Sequence, residues 1–256
     1  MYTKPKQKNT DHLEVSLKAV IQTIFDENEK VYGSRKIKKE LKKLGYRVSR
    51  RRISRLMSEL GLVSVYTIAQ YKVHKDTCNE DPVPNVLNRD FTSHAPVKRI
   101  VSDLTYVRVG NDWNYICLLT DLYNREIIGY SCGRHKDAEL VIRAFAKVKG
   151  PLFQIELFHT DRGSEFKNQK IDDILEAFKI KRSLSMKGCP YDNAVAEATY
   201  KLIKKEFIYR RRFMTLGQLQ VELDRYVTWF NTRRIHSTLD YMSPVEYKNK
   251  SLINFV

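Results

Sequence analysis

Three acidic residues occur in or next to segments whose patterns are typical of buried strands and helices, where a carboxylate is unusual. Asp103 lies within RIVSDLTYVRV, a run rich in β-branched and aromatic residues that is typical of a strand. Asp161 directly follows a second strand-like run. Glu197 is separated from it by thirty-five residues and lies in a segment with helical periodicity. Burial of an uncompensated charge is costly, and neighbouring carboxylates raise one another's pKa. A bound divalent cation would remove both problems.

The composition of the chain favours a hard cation at such a site. The four cysteines and the six histidines are scattered, and no cysteines have Cys-x-x-Cys spacing. The sequence therefore predicts neither a zinc site nor a disulfide framework. Carboxylate oxygens are the ligands that Mg²⁺ and Mn²⁺ prefer. We therefore expect Mg²⁺, or Mn²⁺ in its place.

Four motifs surround these carboxylates in order along the chain. They are SDLTYV, HTDRGSEF, YDNAVAE and YVTWFNTRRIHSTLDYMSPVEY. Together with the spacing of Asp161 and Glu197, they resemble the DDE signature of retroviral integrases. More narrowly, they resemble the integrase-core protein of the IS-three (IS3) family of bacterial insertion sequences. The resemblance covers roughly residues 30–250, and four ordered motifs are far more specific than any one of them.

The resemblance implies a function and a mechanism. A DDE transposase cuts DNA at the ends of its insertion sequence, and the freed 3′-hydroxyl then attacks a second DNA. Two metal ions are implied, with Asp103 bridging them and Asp161 and Glu197 each binding one. Lys204, two helical turns after Glu197, and Lys201 are expected to contact DNA. We also expect a homo-oligomer assembled on the DNA.

The chain departs from the family pattern at a few places. Family members usually have a Trp where this chain has Ile100, and often an Asn where it has Cys189. Neither change removes a metal ligand. In this family the active protein is commonly a frameshift fusion, in which an upstream frame adds a helix-turn-helix and a coiled coil. No heptad repeat of that kind is present, so we expect this chain to be the catalytic partner.

The carboxylates require a scaffold of both strands and helices. The patterns predict strands over 99–109, 113–121, 126–132, 153–159 and 179–185, and helices over 137–148 and 169–178. Asp192 or Asn193 is the expected cap of the helix that carries Glu197. Pattern alone gives a mixed α/β class. The resemblance implies a ribonuclease H-like integrase core, in which the first and fourth strands are neighbours and bring Asp103 close to Asp161.

The N-terminal part of the chain reads as a small all-α domain. A helix is predicted over 12–29, followed by one from a Ser34 cap to Gly45 and another from Ser49 to Gly61. The last two form a helix-turn-helix candidate. The residues expected to meet DNA at the start of its second helix are Arg50, Arg51, Arg52 and Arg55. The alternative is a small helical domain with a solvated basic face.

The whole chain is strongly basic. Its 256 residues carry a formal charge of +16, with a sequence pI of about 9.6. This charge favours DNA as the partner, although a basic protein with no nucleic-acid role is the alternative. The start of the chain does not resemble a signal peptide, and no apolar stretch is long enough for a membrane span. We expect a cytoplasmic, DNA-associated bacterial protein with three regions: 1–61, a linker over 62–98, and a catalytic core with a helical extension over 99–256.

Three functions are compatible with these features. The first is a DDE transposase, the second a non-catalytic DNA-binding regulator or decayed transposase, and the third a nuclease that hydrolyses DNA without joining it. The complete set of carboxylates disfavours the second, and the helix-turn-helix and long terminal motif disfavour the third. His159 either orients a metal ligand or is a structural histidine. The sequence assigns no role to Asn231, Arg234 and His236 of the terminal motif.

Overall fold

The chain forms two compact units. The computed structural model describes residues 6–66, 85–186 and 190–253. The units are Met1–Lys72 and Val73–Val256. The predicted linker over 62–98 lies partly outside the described residues. In the described ranges, no helix is both long enough and apolar enough to cross a membrane.

The first unit consists of three helices. They are α1 (Lys6–Glu27), α2 (Ser34–Lys43) and α3 (Arg50–Glu59). The first of them begins six residues before its predicted start. Each helix turns an apolar stripe inwards, and the stripes together form a small core. The buried side chains include Leu17, Ile21, Ile24, Ile37, Leu41, Ile53, Leu56 and Met57.

The ends of α2 and α3 follow from local chemistry. Ser49 caps α3, because its Oγ accepts a hydrogen bond from the Arg52 amide at 3.2 Å. Gly45 and Gly61 follow the two helices with φ of 86° and 66°, a region that glycine enters without a Cβ penalty. The prediction of Ser34 as a cap is wrong, since Gly33 holds that position and makes no side-chain cap bond.

The second unit is built on a five-stranded sheet. The strands are β1 (Arg99–Val109), β2 (Asp112–Asp121), β3 (Ile127–Gly133), β4 (Leu157–Thr160) and β5 (Lys181–Leu184), in the order β3-β2-β1-β4-β5. The first three strands are antiparallel neighbours. The last two run parallel to β1, and β4 lies directly beside it. The neighbourhood of the first and fourth strands is therefore as expected.

Helices cover both faces of this sheet. They are α4 (Ala138–Phe145), α5 (Gln169–Ala177), α6 (Ala194–Glu206), α7 (Leu216–Thr232) and α8 (Pro244–Ile253). Alternate residues of β1 point to opposite faces. Ile100 packs in the cluster that contains α4 and α5, whereas Val101 packs with Ala196 of α6. The sheet is therefore the layer between α6 and the α4–α5 pair.

The fourth strand is shorter than predicted. Its predicted range begins at Phe153, but residues Leu152–Gln154 form a 3₁₀ turn after Pro151, and pairing with β1 starts only at Leu157. Phe153 is 70% exposed. An apolar run was therefore mistaken for a strand where Pro151, which fixes its own φ, leads into a turn.

Candidate active site

Strand pairing brings the first two carboxylates to the same place. Val101 of β1 is paired with His159 of β4 in a parallel register. Asp103 and Asp161 each lie two residues further on, at the point where β4 has ended and β1 continues. Both side chains therefore leave the sheet at the same end. Asp161 Oδ1 accepts a hydrogen bond from the Gly163 amide at 3.0 Å, which fixes the turn that carries it.

Helix α6 is tied to β1 on both sides of Glu197. The Asn193 amide Nδ2 donates to the Ser102 carbonyl at 3.3 Å, four residues before Glu197. Three residues after it, the buried Tyr200 hydroxyl donates to the Asp103 carbonyl and accepts from the Leu118 amide at 2.7 Å. Asn193 and Tyr200 therefore lie on the side of α6 that faces β1. Glu197 is thus held above Asp103 by its helical neighbours.

The charges of the three carboxylates act on one another. Burial, followed by the charge of Asp161, raises the pKa of Asp103 to about 7, and Glu197 contributes in the same direction. The Leu104 amide, 2.7 Å from Asp103 Oδ1, and the charge of Lys204 oppose the shift without cancelling it. A clustered set of hard oxygen donors with an excess of negative charge fits a divalent cation of the Mg²⁺ type.

The third carboxylate contacts a lysine of its own helix. Glu197 Oε2 is 3.7 Å from Lys201 Nζ, and its side chain is 35% exposed. Within the described parts of the chain, no group of three or more Asp, Glu, His or Cys side chains is arranged to hold a metal ion. Asp103 and Asp161 are therefore the pair that strand pairing brings together, whereas Glu197 comes from α6.

A fourth carboxylate near this site was missed in the sequence. Glu165 of the HTDRGSEF motif is 2% exposed, and its Oε1 is 3.0 Å from Lys136 Nζ. Burial disfavours the charged form of Lys136, but the Glu165 carboxylate outweighs it and raises the pKa of Lys136, with Asp161 and Asp103 acting in the same sense. A Cβ on Gly163 would collide with the Glu165 carboxylate, so the close approach requires glycine. Polarity directly after a strand end was the available signal.

His159 is a structural residue. Its ring is fully buried, and Nδ1 is 2.8 Å from the Ser183 hydroxyl of β5. Ser183 Oγ in turn accepts a hydrogen bond from the Leu87 amide at 3.1 Å. Burial lowers the pKa of His159 to about 4, which keeps the ring neutral. The histidine ties β4 to β5; of its two predicted roles, the structural one agrees with these contacts.

Asp192 and Asn193 do not cap α6, contrary to prediction. Asn193 holds the cap position but makes no side-chain cap bond. Asp192 Oδ1 accepts from Arg89 Nε at 2.7 Å, and its Oδ2 accepts from the Met186 amide at 3.0 Å. Arg89 lies more than a hundred residues before Asp192, so local cap statistics could not reveal this partner.

The terminal motif is a set of structural contacts. The Asn231 side-chain amide makes two 2.9 Å hydrogen bonds with the backbone of Ile127, one as donor and one as acceptor. Arg234 Nη2 is 2.6 Å from Oε1 of Glu206, the last residue of α6, and both side chains are buried. His236 packs edge-on against Phe230, with the ring centroids 4.8 Å apart. The motif thus fastens the C-terminal helices to β3 and to the helix that carries Glu197.

The four arginines predicted to meet DNA differ in their surroundings. Arg50 and Arg51 are exposed at the start of α3. Arg52 and Arg55 reach back to Glu14 of α1, with Nη2 to carboxylate distances of 3.0 and 3.1 Å. Arg55 is also 2.9 Å from Glu59. Two of the four therefore take part in packing α3 against α1.

Family models match most of the chain. Two models described as Integrase core domain match residues 93–190 and 197–252, and one described as HTH-like domain matches residues 12–68. Between them the three models span the helical unit and the sheet unit. The matches agree with the predicted order of a helix-turn-helix segment followed by an integrase core.

Two curated relatives and one solved structure extend this likeness. The transposase for insertion sequence element IS904 of Lactococcus lactis subsp. lactis (strain IL1403) is 30% identical over 251 residues, which are 97% of this chain and 98% of that protein. The transposase InsF for insertion sequence IS3A of Escherichia coli (strain K12) is 27% identical over 91% of this chain and 82% of that protein. The cryoEM structure of the simian T-cell lymphotropic virus intasome in complex with PP2A regulatory subunit B56 gamma has a TM-score of 0.50 at 12% identity, and the match covers 85% of this chain and 70% of that chain. That likeness shows the fold.

Proposed function

Since this chain belongs to the IS3 family of insertion-sequence transposases, we propose that Asp103, Asp161 and Glu197 are its catalytic carboxylates. The proposal is carried by one observation. Parallel pairing of β1 with β4 delivers two carboxylates to one end of the sheet, and their charges and that of Glu197 act on one another. The enzyme is a DDE transposase, a polynucleotidyl transferase that cuts and joins DNA.

The carboxylates would hold the divalent metal that this family of enzymes uses. We propose Mg²⁺, or Mn²⁺ in its place, with two ions bound by Asp103, Asp161 and Glu197 and with Asp103 shared between them. Bound metal would activate the attacking oxygen and neutralise charge at phosphorus. Burial and then the charge of Asp161 raise the pKa of Asp103, and this supports the assignment because a bound cation would offset the cost of keeping these carboxylates charged.

The remaining steps fall to the protein's own side chains and to the DNA. Water attacks the phosphodiester at the end of the element and releases a 3′-hydroxyl. That hydroxyl attacks a target phosphodiester, forms the new bond and displaces the target's own 3′-oxygen. Lys204, whose charge acts on Asp103, would hold a DNA phosphate beside the carboxylates, with Lys201 next to it. His159 is fully buried with Nδ1 2.8 Å from the Ser183 hydroxyl, so we propose a structural role for it.

DNA binding by the first unit belongs to the same proposal. At the start of α3, Arg50 and Arg51 would contact DNA phosphates or bases. Arg52 and Arg55 would do so when their ion pairs with Glu14 break. We propose residues 1–61 as this DNA-binding region, 62–98 as a linker and 99–256 as the catalytic region. We further propose that the active assembly on DNA contains several copies and that an upstream reading frame contributes a fused segment.

A cleavage and joining assay tests the function. Labelled DNA ends of the flanking element are incubated with Mg²⁺ or Mn²⁺ and either the unaltered chain, Glu197→Gln or the control Glu176→Gln, which alters an exposed carboxylate on α5. We expect joined products that disappear only in Glu197→Gln. Cleavage without joining would favour a nuclease. Equal products from Glu197→Gln and the unaltered chain would refute the assignment of Glu197.

A further inference from the structure

Two large aromatic side chains are half exposed next to the candidate active site. Tyr106 of β1 is 58% exposed, and Trp113 of β2 is 52% exposed. In the antiparallel register Tyr106 lies opposite Tyr115, so Trp113 is its diagonal neighbour on the same face of the sheet. The Tyr106 and Trp113 rings meet at 89°, with their centroids 5.1 Å apart. The two rings are therefore not part of the buried core, and core packing does not explain why large aromatic side chains occur here.

Cations accompany both rings. The guanidinium carbon of Arg108 is 5.2 Å from the Trp113 ring centroid, and Lys204 Nζ is 5.5 Å from that of Tyr106. In the described parts of the chain, neither Arg108 nor Lys204 is ion-paired with a carboxylate at 4.0 Å or less. A cross-strand aromatic pair can stabilise a hairpin by itself. Stabilising the hairpin does not require two positive charges on its exposed side.

The same residues are linked to the catalytic carboxylates. Tyr106 follows Asp103 by three residues on β1, so the two side chains leave the strand on opposite faces of the sheet. Lys204 of α6 links them, because its positive charge acts on Asp103 and its Nζ lies near the Tyr106 ring. We name Tyr106, Arg108, Trp113 and Lys204 the aromatic–basic strip. It is connected to the carboxylates through Lys204 and continues onto exposed sheet.

We propose that the aromatic–basic strip binds an unpaired nucleotide of the DNA close to the phosphate that is cut. The base would stack on Trp113, and Arg108 and Lys204 would contact the flanking phosphates. The proposal rests on the proposed function, because DNA must reach the carboxylates. Aromatic rings with adjacent cations are the combination that binds single-stranded nucleic acid, whereas the faces of paired bases are not accessible to a side chain. Stacking on a protein aromatic ring also offsets part of the cost of unpairing a base.

Fluorescence can detect this stacking directly. Trp113 and Trp229 are the two tryptophans of the chain, and Trp229 is buried. In a Trp229→Phe background, Trp113 is the sole tryptophan. It is titrated in EDTA with a duplex end that carries three unpaired nucleotides and with the same end fully paired. We expect saturable quenching, stronger with the unpaired end. If anisotropy shows that the DNA binds and Trp113 emission does not change, the strip does not bind a base.

Affinity gives an independent test with a matched control. Trp113→Ala should weaken binding of the unpaired end about 5- to 150-fold, which corresponds to the loss of one stacked base. Trp113→Phe should retain most of the affinity, and the fully paired end should change less than about twofold. The control is Phe153→Ala, an exposed aromatic side chain near the opposite end of β1. Equal weakening of both DNA ends by Trp113→Ala would overturn the proposal.

Two further measurements separate this proposal from the function on which it rests. Glu197→Gln should lose cleavage yet keep the quenching of Trp113. If folded Trp113→Ala binds, cleaves and joins DNA as the unaltered chain does, the proposal for the strip is refuted and the proposed transposase function is unaffected. If unpaired DNA quenches Trp113 emission but the chain never cuts that DNA, the proposal for the strip is supported and the proposed active site is refuted. A change in oligomeric state of Trp113→Ala without a change in DNA affinity would assign this face to a second copy of the chain and overturn the proposal.

Discussion

Removal of the Arg234 side-chain charge should destabilise the second unit severely. Arg234 Nε is 2.8 and 3.1 Å from the two Glu206 oxygens, and Nη2 is 2.6 Å from Oε1. The Arg234 side chain is 4% exposed and that of Glu206 is fully buried. In Arg234→Met, Glu206 loses the three hydrogen bonds from the buried guanidinium and keeps the one from the Tyr226 hydroxyl at 3.1 Å. Removing one partner of a buried ion pair costs about 3–5 kcal/mol of stability.

The assay is urea denaturation followed by tryptophan fluorescence. Both tryptophans lie in the second unit, so the signal reports that unit alone. The control is Arg225→Met on α7, the helix that ends two residues before Arg234. The Arg225 side chain is 74% exposed, and its replacement should change stability by less than about 0.5 kcal/mol. The double variant Glu206→Gln/Arg234→Met removes both charges and should regain at least about 2 kcal/mol relative to Arg234→Met. The reasoning would be refuted if Arg234→Met lowered the free energy of unfolding by less than about 1 kcal/mol. It would also be refuted if the double variant lost as much stability as the two single variants together.

Two other predictions concern the candidate active site and the first unit. Burial and then Asp161 raise the pKa of Asp103 to about 7 from 3.8, so the folded chain holds a proton that the unfolded chain has released, and stability falls as pH rises from about 4 to about 7. Asp103→Asn removes this penalty. In EDTA the Asp103→Asn variant should be more stable than the unaltered chain at pH 8, and the two should have nearly equal stability at pH 4. Equal stability at pH 8 would contradict a raised pKa of Asp103 in the folded chain. Arg50→Ala/Arg51→Ala should lower the slope of log affinity against log salt for DNA by about 2. The matched pair Arg52→Ala/Arg55→Ala should change the slope less, because Glu14 already holds both groups, and an equal change would contradict this difference.

The parts of the fold with strong local signals could be predicted from the sequence. The limits of β1 agree with the prediction to the residue, and α3 begins at Arg50, directly after the predicted start at Val48 and Ser49. Helical and strand periodicity are local properties, so they can be recognised from the order of neighbouring residues alone. The spacing of Asp161 and Glu197 within four motifs was sufficient to predict the family.

The parts that failed depend on partners distant in sequence. Asp192 was expected to cap a helix, but Arg89, more than a hundred residues earlier, binds it instead. The buried Glu165 was not singled out, because its partner Lys136 lies on the loop before α4. Arg234 had no assigned role, because Glu206 precedes it by 28 residues. Long-range charge pairing leaves no periodic pattern in a sequence.

Asn231 has a consequence for the behaviour of the chain in concentrated solution. Strand β3 lies at an edge of the sheet, and an uncovered edge is a template on which another chain can add a strand and begin to aggregate. The two hydrogen bonds of Asn231 with Ile127 satisfy the same backbone groups that an added strand would use. At the opposite edge, β5 has four residues and begins with Lys181 and Arg182, so its shortness and charge discourage pairing. Helix α7, through Asn231, therefore also protects the chain from edge-to-edge association.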